Sequence, residues 1–216
     1  MTDRVLDWKP RFDPKSLNFK VSKLTDSTAT RNRIWKRDTW LDQGQEGACV
    51  GFSGAHVMST TPRAHNPRYG QQDAEDLYHA AQQNDQWPGE NYEGSSVLGG
   101  MQALKVEGRI DSYHWCTTLT EALHAVSYLG PLQIGVNWYN DMFEPDAKGF
   151  LRVSGKLAGG HAICVGGISV DKQAVLLYNS WGKSWGNNGN AWLAFEDLDT
   201  LLHQDAEFAL PKKVKS

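Results

Sequence analysis

The chain has 216 residues, 40% of them apolar and 22% charged, with a formal net charge of −3. Those values describe an ordinary soluble globular protein and exclude a polybasic nucleic-acid binder. The length suits one large domain or two small ones, in which roughly 70% of the unfolded surface can be buried.

The opening stretch "MTDRVLDWKPRFDPKSLNFK" mixes charges and prolines without an apolar run, so no secretory signal is expected. No segment approaches the roughly 18 apolar residues of a membrane span. The terminal "PKKVKS" reads as a solvated tail. Cys49, Cys116 and Cys164 are odd in number and lack a C-x-x-C pair, which argues against a disulfide framework and against a zinc ribbon. Free thiols in a reducing, cytoplasmic setting are expected, with a Cys116–Cys164 pairing left open. Neither a metal nor a cofactor is expected, nor a nucleic-acid or membrane partner, and the chain is expected to act as a monomer.

Up to about residue 33 the sequence is polar and irregular and reads as an arm. "CVGFSGAHVMS" then reads as a helix stopped before Pro62. In "QQDAEDLYHAAQQ", Ala74, Leu77, Tyr78 and Ala81 recur at helical spacing. "SSVLGGMQALKVEG" predicts a third helix, with serines to cap its start and Gly108 its end. "TLTEALHAVSYLGP" predicts a fourth, with Thr118 and Glu121 at capping-box spacing and Gly130-Pro131 as the stop. The period then becomes two: Leu132, Ile134, Val136 and Trp138 alternate, predicting a strand with one buried face. "HAICVGGISV", "QAVLLYNSW" and "NAWLAF" read as further strands. Helices before about residue 129 and strands from about 130 predict an α+β chain of two lobes.

A lone cysteine is ordinarily a small buried hydrophobe. Two other stretches raise the interest of Cys49. "AGGHAICVGG" sets His161 at the mouth of an apolar strand, and "YNSWGKSWGNNG" sets Asn179 at the end of the next. Acyl transfer through sulfur requires a thiolate, an imidazole to hold it and protonate the leaving amine, and a group that orients the ring. Asn179 can orient His161 without adding charge. Gln43, six residues before Cys49, can offer a side-chain amide to an oxyanion beside the Cys49 N–H. A thiol at a helix N-terminus beside an imidazole is expected to titrate well below the free value of about 8.5.

"QGQEGACVGF", "GGHAICVGG" and "YNSWGKSWGNNG", in that order, resemble the three signature blocks of papain-like cysteine peptidases, in particular the compact prokaryotic and phage-type members. The resemblance covers roughly residues 34 to 210. It implies a helical lobe (about 34–129) and an antiparallel, barrel-like β lobe (about 130–216) with the site in the cleft between them, preceded by residues 1–33 as an arm or short pro-segment. It assigns Gln43 to the oxyanion hole, Cys49 as nucleophile, His161 as base and acid, and Asn179 as the orienting residue. It places Trp181 over the His–Asn hydrogen bond, and Gly94, Ser95, Ser96, Gly160 and Trp181 along the substrate groove. Glu46 stands where secreted relatives have a disulfide cysteine, in keeping with a reducing compartment. Ser95 replaces a family glycine, so relatives' substrate preferences do not transfer.

The expected activity is peptide hydrolysis through a Cys49 thioester. Transfer of the acyl group to an amine is one alternative. The other is a non-catalytic groove or virion module, which would place the chain with a virion if it is phage-encoded. The arm is expected to pack along the β lobe or to be removed. His56 reads as a solvated or core histidine, Trp138 and Trp185 as cleft-lining or core residues, and Cys116 and Cys164 as inert buried thiols; a His161–Cys164 metal pair is disfavoured because strand residues three apart do not face one site.

Overall fold

Cys49–Ser59 contains no Asp, Glu, Lys or Arg, and as helix α1 all eleven of its residues are buried. A helix without a polar stripe belongs in an interior. The computed structural model describes residues 4–11, 13–14, 18–24, 29–62, 69–85 and 93–212. Within it, α1 packs on α2 (Gln71–Asn84), α3 (Val97–Val106) and the sheet. The α1–α2 crossing is close enough to require glycine. A Cβ on Gly51 would overlap the Ala74 carbonyl oxygen and lie 2.6 Å from the Tyr78 nitrogen. Gly51→Ala should therefore cost about 1–3 kcal/mol, read as a lower urea midpoint; an unchanged midpoint would contradict the contact.

The other predicted helices form for the reasons their sequences suggest. On α2 the buried residues are Ala74, Leu77, Tyr78 and Ala81. Ser96 caps α3 by accepting from the Gly99 N–H at 2.9 Å, and Gly108 beyond its end has φ +67°. Thr118 caps α4 (Leu119–His124) through the Glu121 N–H, at 3.2 Å. The Glu121 carboxylate instead takes the N–H of Thr117, at 2.7 Å, so the reciprocal half of the expected box falls one residue earlier. The run then continues as a π-helical turn, Ala125–Leu129.

Among the described residues, seven strands form one open antiparallel sheet. They are β1 (Arg33–Ile34), β2 (Ser112–Trp115), β3 (Leu132–Tyr139), β4 (Leu157–Ser169), β5 (Ala174–Tyr178), β6 (Asn190–Ala194) and β7 (Glu207–Lys212). The order is β2-β7-β3-β4-β5-β6, with β1 added on β4. Helix α5 (Phe195–Leu202) intervenes between β6 and β7.

Three features differ from expectation. β2 lies within the stretch read as helical, because its pairing partner is Ala209–Lys212, far away in sequence. β1 begins inside the segment read as the arm's end, paired with Gly167 and Ile168. β3 is buried on both faces. Leu132, Ile134, Val136 and Trp138 enter the core of the β lobe, while Gln133 faces α1 and donates to the Val50 carbonyl at 2.7 Å and to Ser53 Oγ at 2.8 Å. A buried glutamine bonded in this way is satisfied rather than exposed. The sheet thus separates two cores, one filled by Ile134, Trp138, Leu177 and Phe208, the other by Phe52, Leu77, Leu98 and Met101.

Candidate active site

The first residue of α1 is Cys49, fully buried, preceded by a loop in which Gly44 has φ +61°. The backbone N–H dipoles of Ala162, Asp7 and Val50 favour its thiolate, against the burial that opposes it. Ala162 follows His161 directly on β4, so packing α1 against that strand brings the distant imidazole to the thiol's neighbourhood.

His161 Nε2 lies 2.9 Å from Asn179 Oδ1, and the same oxygen accepts the Ser180 N–H at 2.9 Å. An oxygen already accepting from a backbone N–H must accept from the ring as well, so Nε2 carries the hydrogen. The other ring nitrogen, Nδ1, is buried with its lone pair unused among the described residues. This is the tautomer a proton acceptor needs. Asn179 follows β5 at its end, and β4 and β5 are neighbours in the sheet.

Indoles enclose the imidazole. The Trp181 ring centroid is 4.9 Å from that of His161, and Trp138 meets His161 edge-on at 4.8 Å. Phe143 and Trp185 pack against Trp181 at 5.6 and 5.5 Å. His161, Asn179 and Trp181 are all buried, so the His161–Asn179 bond is shielded from water. Burial is the main cause that pushes His161 down to about 4, opposed by the Asn179 hydrogen bond.

The thiol departs from expectation. Burial pushes Cys49 up to about 11, and the Asp7 carboxylate adds to the rise. In the resting chain both groups are therefore neutral. The helix N-terminus and imidazole that favour a thiolate are outweighed by the absence of water and by an acid delivered from the arm.

The arm enters the cleft itself. Asp7 pairs with Gly160 on one wall and Trp8 with Ser95 on the other. The Trp8 N–H donates to the Gly160 carbonyl at 2.9 Å, the Lys9 N–H to the Ser95 carbonyl at 2.9 Å, and the Ser95 N–H to the Asp7 carbonyl at 3.2 Å. A Cβ on Gly94 or on Gly160 would overlap the arm's carbonyl oxygens. Arg4 anchors the near end through Asp42, at 2.7 Å, and the Trp181 carbonyl, at 3.3 Å.

Gln43 is 4% exposed and fixed by its neighbours. Its Oε1 accepts from Ser180 Oγ at 2.9 Å, which turns Nε2 toward the Glu46 carbonyl at 2.9 Å and the arm's Val5 carbonyl at 3.5 Å. One amide hydrogen thus already faces a peptide carbonyl lying in the cleft.

Among the groove candidates, Gly94, Ser95 and Gly160 meet the arm through their backbones. Ser95 Oγ and Ser96 Oγ donate instead to Asp85, the latter at 2.6 Å, so both side chains turn away from the cleft.

His56 is fully buried on α1, with burial driving it down to about 3. Trp138, Trp185, Cys116 and Cys164 are core residues, and the cysteines are not bridged. Among the described residues no His, Cys, Asp and Glu group is placed to hold a metal ion.

Four contributors escape a reading of the sequence. Asp7 and Trp8 sit in an irregular polar stretch with no periodic signal. Ser180 shows its role only through Gln43. Glu207, which accepts the indole N–H of the arm's Trp8 at 2.8 Å, is carried by β7, 199 residues away in sequence.

A family model described as "Papain family cysteine protease" matches residues 71–200, a span that includes His161 and Asn179 but begins after Cys49. The placement of Cys49 therefore rests on its geometry. Cathepsin B-like CP2 of Giardia intestinalis is 31% identical over 108 residues, covering 44% of this chain and 36% of that protein. Cathepsin B-like cysteine proteinase 6 of Caenorhabditis elegans is 36% identical over 62 residues, 28% of this chain and 16% of the relative. The matches thus span about a third or less of those relatives' lengths. Among solved structures, xylellain, a cysteine protease from Xylella fastidiosa, superposes with a TM-score of 0.74 at 15% identity, over 99% of this chain and 98% of that one. Digestive procathepsin L 3 of Tenebrio molitor gives 0.66 at 13%, over 98% and 76%. At such identities the structural likeness concerns the fold.

Proposed function

Starting from a chain that belongs to the papain family of cysteine proteases, we propose that it hydrolyses peptide bonds at Cys49 and that its resting state is held closed by its own N-terminal arm. The observation that carries the reading is the His161–Asn179 hydrogen bond. It commits Nε2 as a donor and leaves Nδ1 without a partner among the described residues, on the strand β4 that packs against α1 and its Cys49.

With the arm displaced, His161 Nδ1 takes the thiol proton to give a thiolate–imidazolium pair, and the sulfur then attacks the carbonyl carbon of a bound substrate. The oxyanion accepts from the Cys49 N–H and from Gln43 Nε2. Collapse breaks the C–N bond, and the imidazolium returns its proton to the leaving amine, giving a thioester. Water, losing a proton to His161, then adds to the thioester, and the acid leaves as the proton goes back to sulfur. Asn179 holds the ring through both transfers, and Trp181 keeps water from that bond.

The arm lies where a peptide would, paired with Gly160 on one wall and Ser95 on the other.

A digest of a mixed peptide library tests this. The full chain carrying Trp8→Ala should release fragments faster than wild type, and Cys49→Ala in either chain should release none. Equal release from the Cys49→Ala chains would overturn the reading.

A further inference from the structure

Resting on that reading, we propose that Arg37 is a positioning residue for the reaction: by gripping the turn 186–190 and the ring of Tyr178 together, it holds Asn179, and through Asn179 the His161 imidazole. The need for a grip is visible in the turn itself. The segment reads "GNNGN" and offers little rigidity of its own, with φ of +54°, +55° and +72° at Gly186, Asn188 and Gly189. Yet it carries the acceptor that fixes Asn179, because the Gly189 carbonyl accepts the Asn179 N–H at 3.0 Å.

Arg37 meets the same carbonyl. Its Nη2 donates to the oxygens of Asn188 and Gly189, each at 3.1 Å, and to Asn190 Oδ1 at 2.6 Å. A carbonyl oxygen has two lone pairs, so the Gly189 oxygen takes the Asn179 N–H and the guanidinium together. Hydrogen bonds from a cation are stronger than neutral ones, which suits a loose backbone. The guanidinium also lies over the Tyr178 ring at 4.5 Å and the Trp40 ring at 5.2 Å. Tyr178 precedes Asn179 in the chain, and its hydroxyl donates to the Trp35 carbonyl at 2.7 Å. Arg37 therefore restrains Asn179 twice, through the acceptor of its N–H and through its chain neighbour.

The turn is closely enclosed where Arg37 holds it. A Cβ on Gly189 would lie 2.9 Å from Arg37 Nη2, 3.0 Å from the Gly182 carbonyl oxygen and 3.1 Å from Trp40 Cδ1. The Trp40 N–H donates to the Asn188 carbonyl at 2.8 Å, beside the guanidinium. Without the cation the turn can shift, carry the Asn179 backbone with it and lengthen the 2.9 Å contact between Asn179 Oδ1 and His161 Nε2. An amide oxygen on a ring N–H favours the imidazolium. Loosening that contact weakens the thiolate–imidazolium pair and slows the proton transfers that depend on the ring.

A double-mutant cycle in the full chain carrying Trp8→Ala tests this, with Arg37→Met introduced both beside Asn179 and beside Asn179→Ala. Methionine keeps an unbranched stem over the two rings and removes the donors. With Asn179 present, kcat on one peptide should fall about tenfold, as for the loss of a group that orients a functional side chain, while KM stays within about twofold. With Asn179→Ala the same change should lower kcat by no more than about twofold, because residues acting as a unit are not additive. Equal falls in both backgrounds, a rise in KM alone, or no fall would overturn the role. If none of the four chains cleaves any peptide, the peptidase reading fails, and alkylation of Cys49 by iodoacetamide against pH reads the role of Arg37 instead. Arg37→Met should then move the inflection up toward the free value of about 8.5 when Asn179 is present, and leave it in place beside Asn179→Ala. Profiles that Arg37→Met leaves unchanged in both backgrounds, or shifts equally in both, would overturn it.

Discussion

Replacing His161 by Ala in the full chain carrying Trp8→Ala should lower peptide hydrolysis by about a thousandfold or more, the range found when a general acid–base is lost from a catalytic set. The effect is large because one imidazole serves both proton transfers, with Nδ1 as its only uncommitted nitrogen. Asn179→Ala should do less, about ten- to a hundredfold, since the ring stays but loses the bond that fixes its tautomer. Initial rates on one peptide read both. A His161→Ala chain as fast as its parent would show that the ring does not move the proton.

Trp8→Ala alone should raise the rate of Cys49 alkylation by iodoacetamide at pH 7.5 at least about tenfold. In the resting chain the thiol stands near 11, with burial as the main cause, so almost no thiolate is present at that pH. Trp8 is the strongest single hold on the arm. Burying an indole removes about 150–250 Å² from water, roughly 4–6 kcal/mol before the cost of ordering the arm. The Arg4–Asp42 pair is half exposed at its Asp42 side and contributes about 0–1 kcal/mol. Losing Trp8 should therefore release the arm, whereas Arg4→Ala should leave the alkylation rate within about twofold of wild type. Intact-mass kinetics report each rate. An unchanged rate for Trp8→Ala would mean that the thiol is closed by something other than the arm.

Much of this architecture is visible in the residues themselves. The four helices declare their buried faces and most of their caps locally, as Ala74, Leu77, Tyr78 and Ala81 do on α2. Cys49, His161 and Asn179 are legible because sulfur chemistry needs those side chains; Cys49 opens α1 and Asn179 follows β5, while His161 lies inside β4 rather than at its mouth. What stays hidden depends on pairing between remote segments. The strand Ser112–Trp115 is unremarkable until Ala209–Lys212 lies beside it. The burial of Gln133 follows from α1 crossing the sheet.

The elevated thiol illustrates the same limit. A helix N-terminus and an imidazole favour the thiolate, and both are readable from the sequence. The water that would solvate it is displaced by Asp7 and Trp8, residues whose position no periodicity announces.

The most direct measurement is the alkylation rate of Cys49 against pH in the Trp8→Ala chain, with and without His161→Ala. Once the cleft admits water, the thiolate should persist to a pH well under 8.5, and that low inflection should vanish when the imidazole is removed. Superimposable profiles for the two chains would contradict the pairing of Cys49 with His161.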